Sequence, residues 1–198
     1  MSDAMPKAVR GLENLYTVII GVALSIAVVT LLGDQKALSA ISLSSGALFG
    51  GFIVTLFPFY HGALRHLDEA YSPPKTIKHG ALVIDFFLLF GHALAFVVLS
   101  LLIGRPSQFI WVLMIVLVVD VVWGFVMYLV SPAEHSTEAK WSLINVVFVI
   151  VAMIYMVQHQ FYMQDVADPV VLAVPAALLC LLRTIIDYVW CGAFYFPK

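Results

Sequence analysis

Five ionisable residues, Asp85, His92, Asp120, Arg183 and Asp187, interrupt stretches that are otherwise apolar enough to sit in lipid. A charge at the centre of a bilayer costs about 2.5 to 3.5 kcal/mol on insertion scales, so each of the five needs a partner, a hydrated cavity or a task. A carboxylate and an imidazole at that depth can hold each other's charge and exchange a proton near neutral pH. Arg183 and Asp187 stand four apart, one turn along a single helix face, which is the spacing of an intrahelical ion pair.

The elements that position these residues follow from composition. Of the 198 residues, 63% are hydrophobic and only 11% charged, and the mean hydropathy is +1.02. Soluble domains run near 45 to 50% apolar and roughly 25% charged, so water is not this chain's main solvent. A hydrocarbon core of about 30 Å takes around 20 apolar residues per helical crossing. Six segments reach that length, at 15–32, 41–60, 80–104, 108–130, 141–158 and 169–190. Runs such as Phe109 to Val122 lack the alternation of a membrane β-strand. The expected fold is all-α, a six-transmembrane-helix bundle forming one domain over 1–198. The first run exceeds the roughly 7 to 15 residues of a signal-peptide core and is read as a retained helix.

Basic residues set the expected orientation. With a cytoplasmic N-terminus, Lys7, Arg10, Arg65, Lys75, Lys78, Lys140 and Lys198 fall inside, and only Lys36 and Arg105 outside. The positive-inside rule therefore puts both termini in the cytoplasm, in a multi-pass protein of the inner (cytoplasmic) membrane. Trp141 and Trp190 would then lie at the inner interface and Trp111 at the outer one.

Depth sorts the buried charges into two levels. At about 1.5 Å per residue, Asp85, Arg183 and Asp187 lie about 5 to 10 Å from the inner face, as does Asn145. That level reads as an Asp-Arg-Asp cluster with Asn145 as a hydrogen-bonding member. His92 and Asp120 lie about 15 to 18 Å in, near the midplane, on spans joined by the tight Arg105-Pro106-Ser107 hairpin, and are expected to meet. Asp85 and His92 are two turns apart, which draws a polar line from the cytoplasm to the membrane centre.

Helix boundaries show in the capping chemistry. Asp168-Pro169 offers a side-chain acceptor and a first-turn proline to the sixth span, and Ser131-Pro132-Ala133-Glu134 reads as a capping box. Beyond a kink at Pro58, His61 to Tyr71 carries mixed charge and reads as a solvated cytoplasmic stub, with Arg65 and Glu69 as i,i+4 partners. His61 and Arg65 are the residues there suited to a headgroup or ligand. His66, Asp68, Glu69, His79 and His135 are also placed on the cytoplasmic side, without the ligand spacing of a zinc motif.

Small residues recur at i+4 as Ser42-Gly46-Gly50 and Thr17-Gly21-Ser25, which allows close helix packing. The Thr17 and Ser25 hydroxyls could alternatively line a pore, in which case several copies must surround an axis. Cys180 and Cys191 read as packing residues. Over one or two turns, Gly11-Leu12-Glu13-Asn14-Leu15-Tyr16-Thr17 resembles the first-helix signature of small bacterial six-helix potassium channels. That family's arginine, phenylalanine, serine and aspartate are not reproduced in place, so the resemblance assigns no family.

The leading expectation is a homo-oligomeric ion channel or small proton-linked transporter working through Asp85, His92 and Asp120, with no cofactor, metal or nucleic acid. Its partners are the lipid bilayer and further copies of itself. The alternatives are an enzyme acting on lipid or isoprenoid at the cytoplasmic leaflet, and a membrane subunit that engages a cytoplasmic protein.

Overall fold

The computed structural model describes residues 4–33, 41–71, 79–130, 136–162 and 168–197. Among them the chain is helical with no strand: α1 (Ala4–Leu32), α2 (Leu43–Tyr71), α3 (His79–Leu101), α4 (Pro106–Val130), α5 (Ser136–Tyr162), α6 (Val170–Trp190) and the short α7 (Gly192–Tyr195). The first six are each long and apolar enough to cross a bilayer, which makes this a multi-pass membrane protein by architecture. Several helices outrun the apolar runs of the sequence, because α1, α2 and α5 continue through polar turns that the bundle or their own ends support.

The outer surface carries Val18, Val22, Val29, Phe57, Phe87, Ile115, Val122, Phe125, Ile150, Leu178 and Val189, all exposed. Such a belt suits hydrocarbon and would be costly in water. The closest pairings are α2 with α6, α4 with α5 and α1 with α3, and α2 also touches α3, α4 and α7. Two glycines let these pairs approach. A β-carbon on Gly51 would stand 3.2 Å from the Ala177 backbone of α6, and one on Gly124 would collide with Ser142 Oγ and stand 2.9 Å from the Glu138 carbonyl of α5.

Two prolines lie inside helices, Pro58 in α2 and Pro175 in α6. Each lacks the N–H that would bond the carbonyl four residues earlier, and lipid offers no substitute donor. Neighbouring helices supply one in both cases. The carbonyl freed by Pro58 belongs to Val54 and accepts from Thr184 Oγ1 at 2.7 Å. The carbonyl freed by Pro175 belongs to Val171 and accepts from Tyr155 Oη.

The α3–α4 turn is as tight as expected, with the Phe109 amide bonded to the Arg105 carbonyl at 3.0 Å. At the start of α6, Asp168 Oδ1 accepts the Val170 amide at 2.9 Å, and Pro169 already has helical angles. The capping box at Ser131 to Glu134 lies outside the described residues. The solvated stub is corrected. α2 stays helical to Tyr71, and Ala63, His66, Leu67 and Tyr71 are buried along one stripe. Trp111 and Trp190 are half exposed, whereas Trp141 is buried in the bundle.

Candidate functional site

Two polar networks thread the core. The first centres on His66 of α2, which is 3% exposed. Its Nε2 lies 3.0 Å from Asp85 Oδ2 of α3, and its Nδ1 lies 3.1 Å from Glu138 Oε1 of α5. Asp85, fully buried, also accepts from Tyr71 Oη at 2.5 Å and from Trp123 Nε1 of α4 at 3.1 Å. Four helices are tied through one imidazole and one carboxylate.

The second network centres on Arg183 of α6. Arg183 Nε donates to Asn145 Oδ1 at 2.8 Å, and Asn145 Nδ2 donates to Asp120 Oδ2 at 2.6 Å. Arg183 Nη1 faces Asp187 Oδ2 at 3.5 Å, and the guanidinium lies 4.9 Å above the Phe59 ring. Tyr195 Oη of α7 donates to both Asp187 oxygens, at 3.1 and 3.2 Å. The expected Arg183, Asp187 and Asn145 grouping is present, with Asp120 joined to it. Asp85 is not a member: it is held by His66, Tyr71 and Trp123, so the Asp-Arg-Asp cluster is corrected.

His92 and Asp120 do not form the direct pair expected of them. The His92 ring hydrogen-bonds the Val116 carbonyl, which in the α-helical pattern also receives the Asp120 amide. The imidazole thus docks on the α4 backbone beside Asp120 rather than on its carboxylate. Both residues line one cavity of about 40 Å³, together with Tyr16, His66, Trp123, Trp141, Arg183, Asp187 and Tyr195. Asp85 meets His66, and His66 and His92 line the same cavity. On its far side Arg183 lines a second, apolar cavity of about 30 Å³ with Thr55, Leu117, Phe148 and Cys180.

Among the described residues, four buried side-chain polar atoms lack a hydrogen-bond partner: Tyr16 Oη, His92 Nε2, Trp141 Nε1 and Arg183 Nη1. All four residues line the first cavity. Trp141 Nε1 is directed at the Asp187 carboxylate without closing a hydrogen bond.

The remaining candidates fall elsewhere. His61 Nδ1 faces Tyr188 Oη at 3.4 Å, and its ring packs on Tyr195 and Phe196. Arg65 donates to the Phe194 carbonyl at 3.2 Å, so the C-terminal segment engages both proposed headgroup contacts. Arg65 pairs with Asp68 at 2.7 Å rather than with Glu69. Thr17, Gly21 and Ser25 lie on the exposed face of α1, where Thr17 Oγ1 meets Tyr60 Oη at 3.1 Å and Ser25 Oγ bonds the Gly21 carbonyl. They are absent from the walls of both cavities described above. Cys180 and Cys191 are buried free thiols. Burial pushes the Cys191 thiol up to about 12, helped by the nearby Asp187 charge. His135 and the His79 side chain lie outside the described residues, and no group of three metal-ligating side chains is placed to hold an ion among those described.

Sequence reasoning missed His66, Glu138, Trp123 and Tyr16. The signal for His66 was its register, since Phe59, Ala63, His66 and Leu67 fall on one helical stripe. Glu138, Trp141, Ser142 and Asn145 repeat the pattern on α5.

A family model described as the PF3D7_1205000 helical domain matches residues 107–160, a minority of the chain. The matched stretch is the α4–α5 pair that carries Asp120, Trp123, Glu138 and Asn145. No curated protein and no solved structure matches the chain.

Proposed function

We propose that this chain moves protons, alone or coupled to a small solute, across the membrane that holds it, through the polar centre of each protomer. The observation that carries this reading is the gathering of His92, Asp120 and Arg183 on one cavity, with the His66, Asp85 and Glu138 network on its border. Titratable groups in such a line can receive and pass a proton in steps, which isolated buried charges cannot do. Arg183, which borders an apolar cavity on its other side, supplies a fixed positive charge that bars a continuous cation path. This favours a stepwise transporter over an open pore. The basic-residue count supports a cytoplasmic location for both termini and for the His66 end of the site.

The test is proton flux into liposomes containing purified protein under an imposed potential, with Asp120→Asn as the variant. Flux that depends on Asp120 supports the reading.

A second reading, an oligomeric channel with Thr17 and Ser25 around a shared axis, draws support from the exposure of that face of α1. Thr17→Val would then alter flux more than Asp120→Asn does.

A further inference from the structure

The unpartnered atoms around the cavity specify what it holds. Arg183 Nη1 faces Asp187 at 3.5 Å as an ion pair but closes no hydrogen bond, so it still has a proton to donate, and Tyr16 Oη can donate or accept. His92 is different. Its Nε2 is the unpartnered nitrogen, so Nδ1 is the one that donates to the Val116 carbonyl, and the neutral ring presents a lone pair at Nε2. An occupant must therefore accept from Arg183 and also donate to His92.

A simple anion fails the second requirement, and the Asp120 and Asp187 carboxylates on the same wall oppose it further. A bare cation fails the first. Size narrows the choice again. A water needs roughly 10 to 15 Å³ of such space, so a cavity of about 40 Å³ admits about three. Tyr16 is 1% exposed, and His92 and Arg183 are each 4% exposed. An unmet polar group at that burial costs about 1 to 3 kcal/mol, which bound water removes.

We propose that this cavity is a structural water site, whose waters bond Tyr16 Oη, His92 Nε2 and Arg183 Nη1 and bridge His92 to Asp120. The bridging role rests on the proton-transfer reading above, whereas the occupancy does not. In the bridging step a protonated His92 gives its Nε2 proton to a water, which passes one of its own to the Asp120 carboxylate. The imidazolium and carboxylate become neutral imidazole and carboxylic acid, and the water is regenerated. The two side chains line the same cavity and bond other partners, Val116 and Asn145, which leaves such a water to join them.

X-ray hydroxyl-radical labelling of the full chain in lipid nanodiscs, read by mass spectrometry, tests the occupancy without using flux. Radicals form from bound water, so Tyr16 is expected to be modified at least about ten-fold faster than Phe52 and Phe96, whose side chains are as deeply buried but line no polar cavity. Labelling of Tyr16 at the Phe52 rate overturns the proposal, and so does protection of Tyr16 by added chloride, which would mark a halide site. Tyr16→Phe gives an independent check. A dry cavity would make that variant melt higher, by removing an unmet hydroxyl, and this outcome overturns the proposal; an unchanged or lower melting temperature is the expected one. A dry cavity with intact proton flux would remove the water bridge alone, and a hydrated cavity without flux would remove the proton reading alone.

Discussion

His66 Nε2 and Asp85 Oδ2 lie 3.0 Å apart with both side chains buried, and the other nitrogen of the same imidazole meets Glu138 at 3.1 Å. One histidine therefore separates two carboxylates that would otherwise face each other across α3 and α5 in a medium that screens poorly. His66→Ala leaves both without their shared partner. Loss of one member of a buried charge pair costs about 3 to 5 kcal/mol, so this variant should melt well below the parent in detergent. Tyr71 and Trp123 donate to different oxygens of Asp85, so Asp85→Asn keeps an acceptor for one of them and should cost less than His66→Ala. Equal melting of His66→Ala and the parent would mean that the network is solvated.

Gly124 has no room for a side chain. Gly124→Ala would drive a methyl into Ser142 Oγ and place it 2.9 Å from a backbone carbonyl of α5, and the carbonyl cannot move without its helix. Overpacking of this kind costs about 1 to 3 kcal/mol. Gly21→Ala and Gly50→Ala, which meet nothing within 4 Å, should melt with the parent. Thermal scans of the three variants side by side check the contrast.

The proline carbonyls supply a third expectation. Thr184→Val removes the donor to the Val54 carbonyl that Pro58 frees, and Tyr155→Phe removes the donor to the Val171 carbonyl that Pro175 frees. Each leaves an unmet acceptor inside a bilayer, at about 1 to 3 kcal/mol. If α2 is given back its own donor in the double variant Pro58→Ala with Thr184→Val, much of the first loss should return. A double variant no more stable than Thr184→Val would contradict this account of the bond.

Cys191 should resist alkylation. Its thiol is raised from its ordinary value to about 12, chiefly by burial, and the thiolate is the reactive form. Maleimide at pH 7.5 should therefore modify it on the order of 1,000-fold more slowly in the folded protein than in the denatured chain. The linkage has a definite sign. The folded state holds this proton more tightly than the unfolded state does, so the thiol's contribution to stability is intact below about pH 9 and is lost as pH rises towards 12. Rapid labelling at pH 7.5 in mild detergent would show that the α6–α7 corner is open.

The six helices were legible because lipid demands long apolar runs, and runs of that kind have few other uses. The grouping of Arg183, Asp187 and Asn145 was legible from helical spacing and depth. His66 was not, because hydropathy counts the charges of His61 to Glu69 and so reads that segment as wet, whereas the bundle buries its stripe of Gly62, Ala63, His66 and Leu67. Depth alone paired Asp85 with Arg183 and His92 with Asp120. It fixes distance along the membrane normal and leaves rotation about each helix axis undetermined. Rotation is what turns Asp85 to His66, and what sets His92 on the Val116 carbonyl rather than on Asp120.

The central claim, proton movement through the protomer centre, is tested most directly by proton flux in liposomes at a fixed potential, comparing the parent with Asp120→Asn. The Asn side chain can still bond Asn145 but cannot take up a proton, so assembly should persist while flux falls at least about ten-fold. Flux equal to the parent's in an Asp120→Asn protein that folds and reconstitutes normally would contradict the claim.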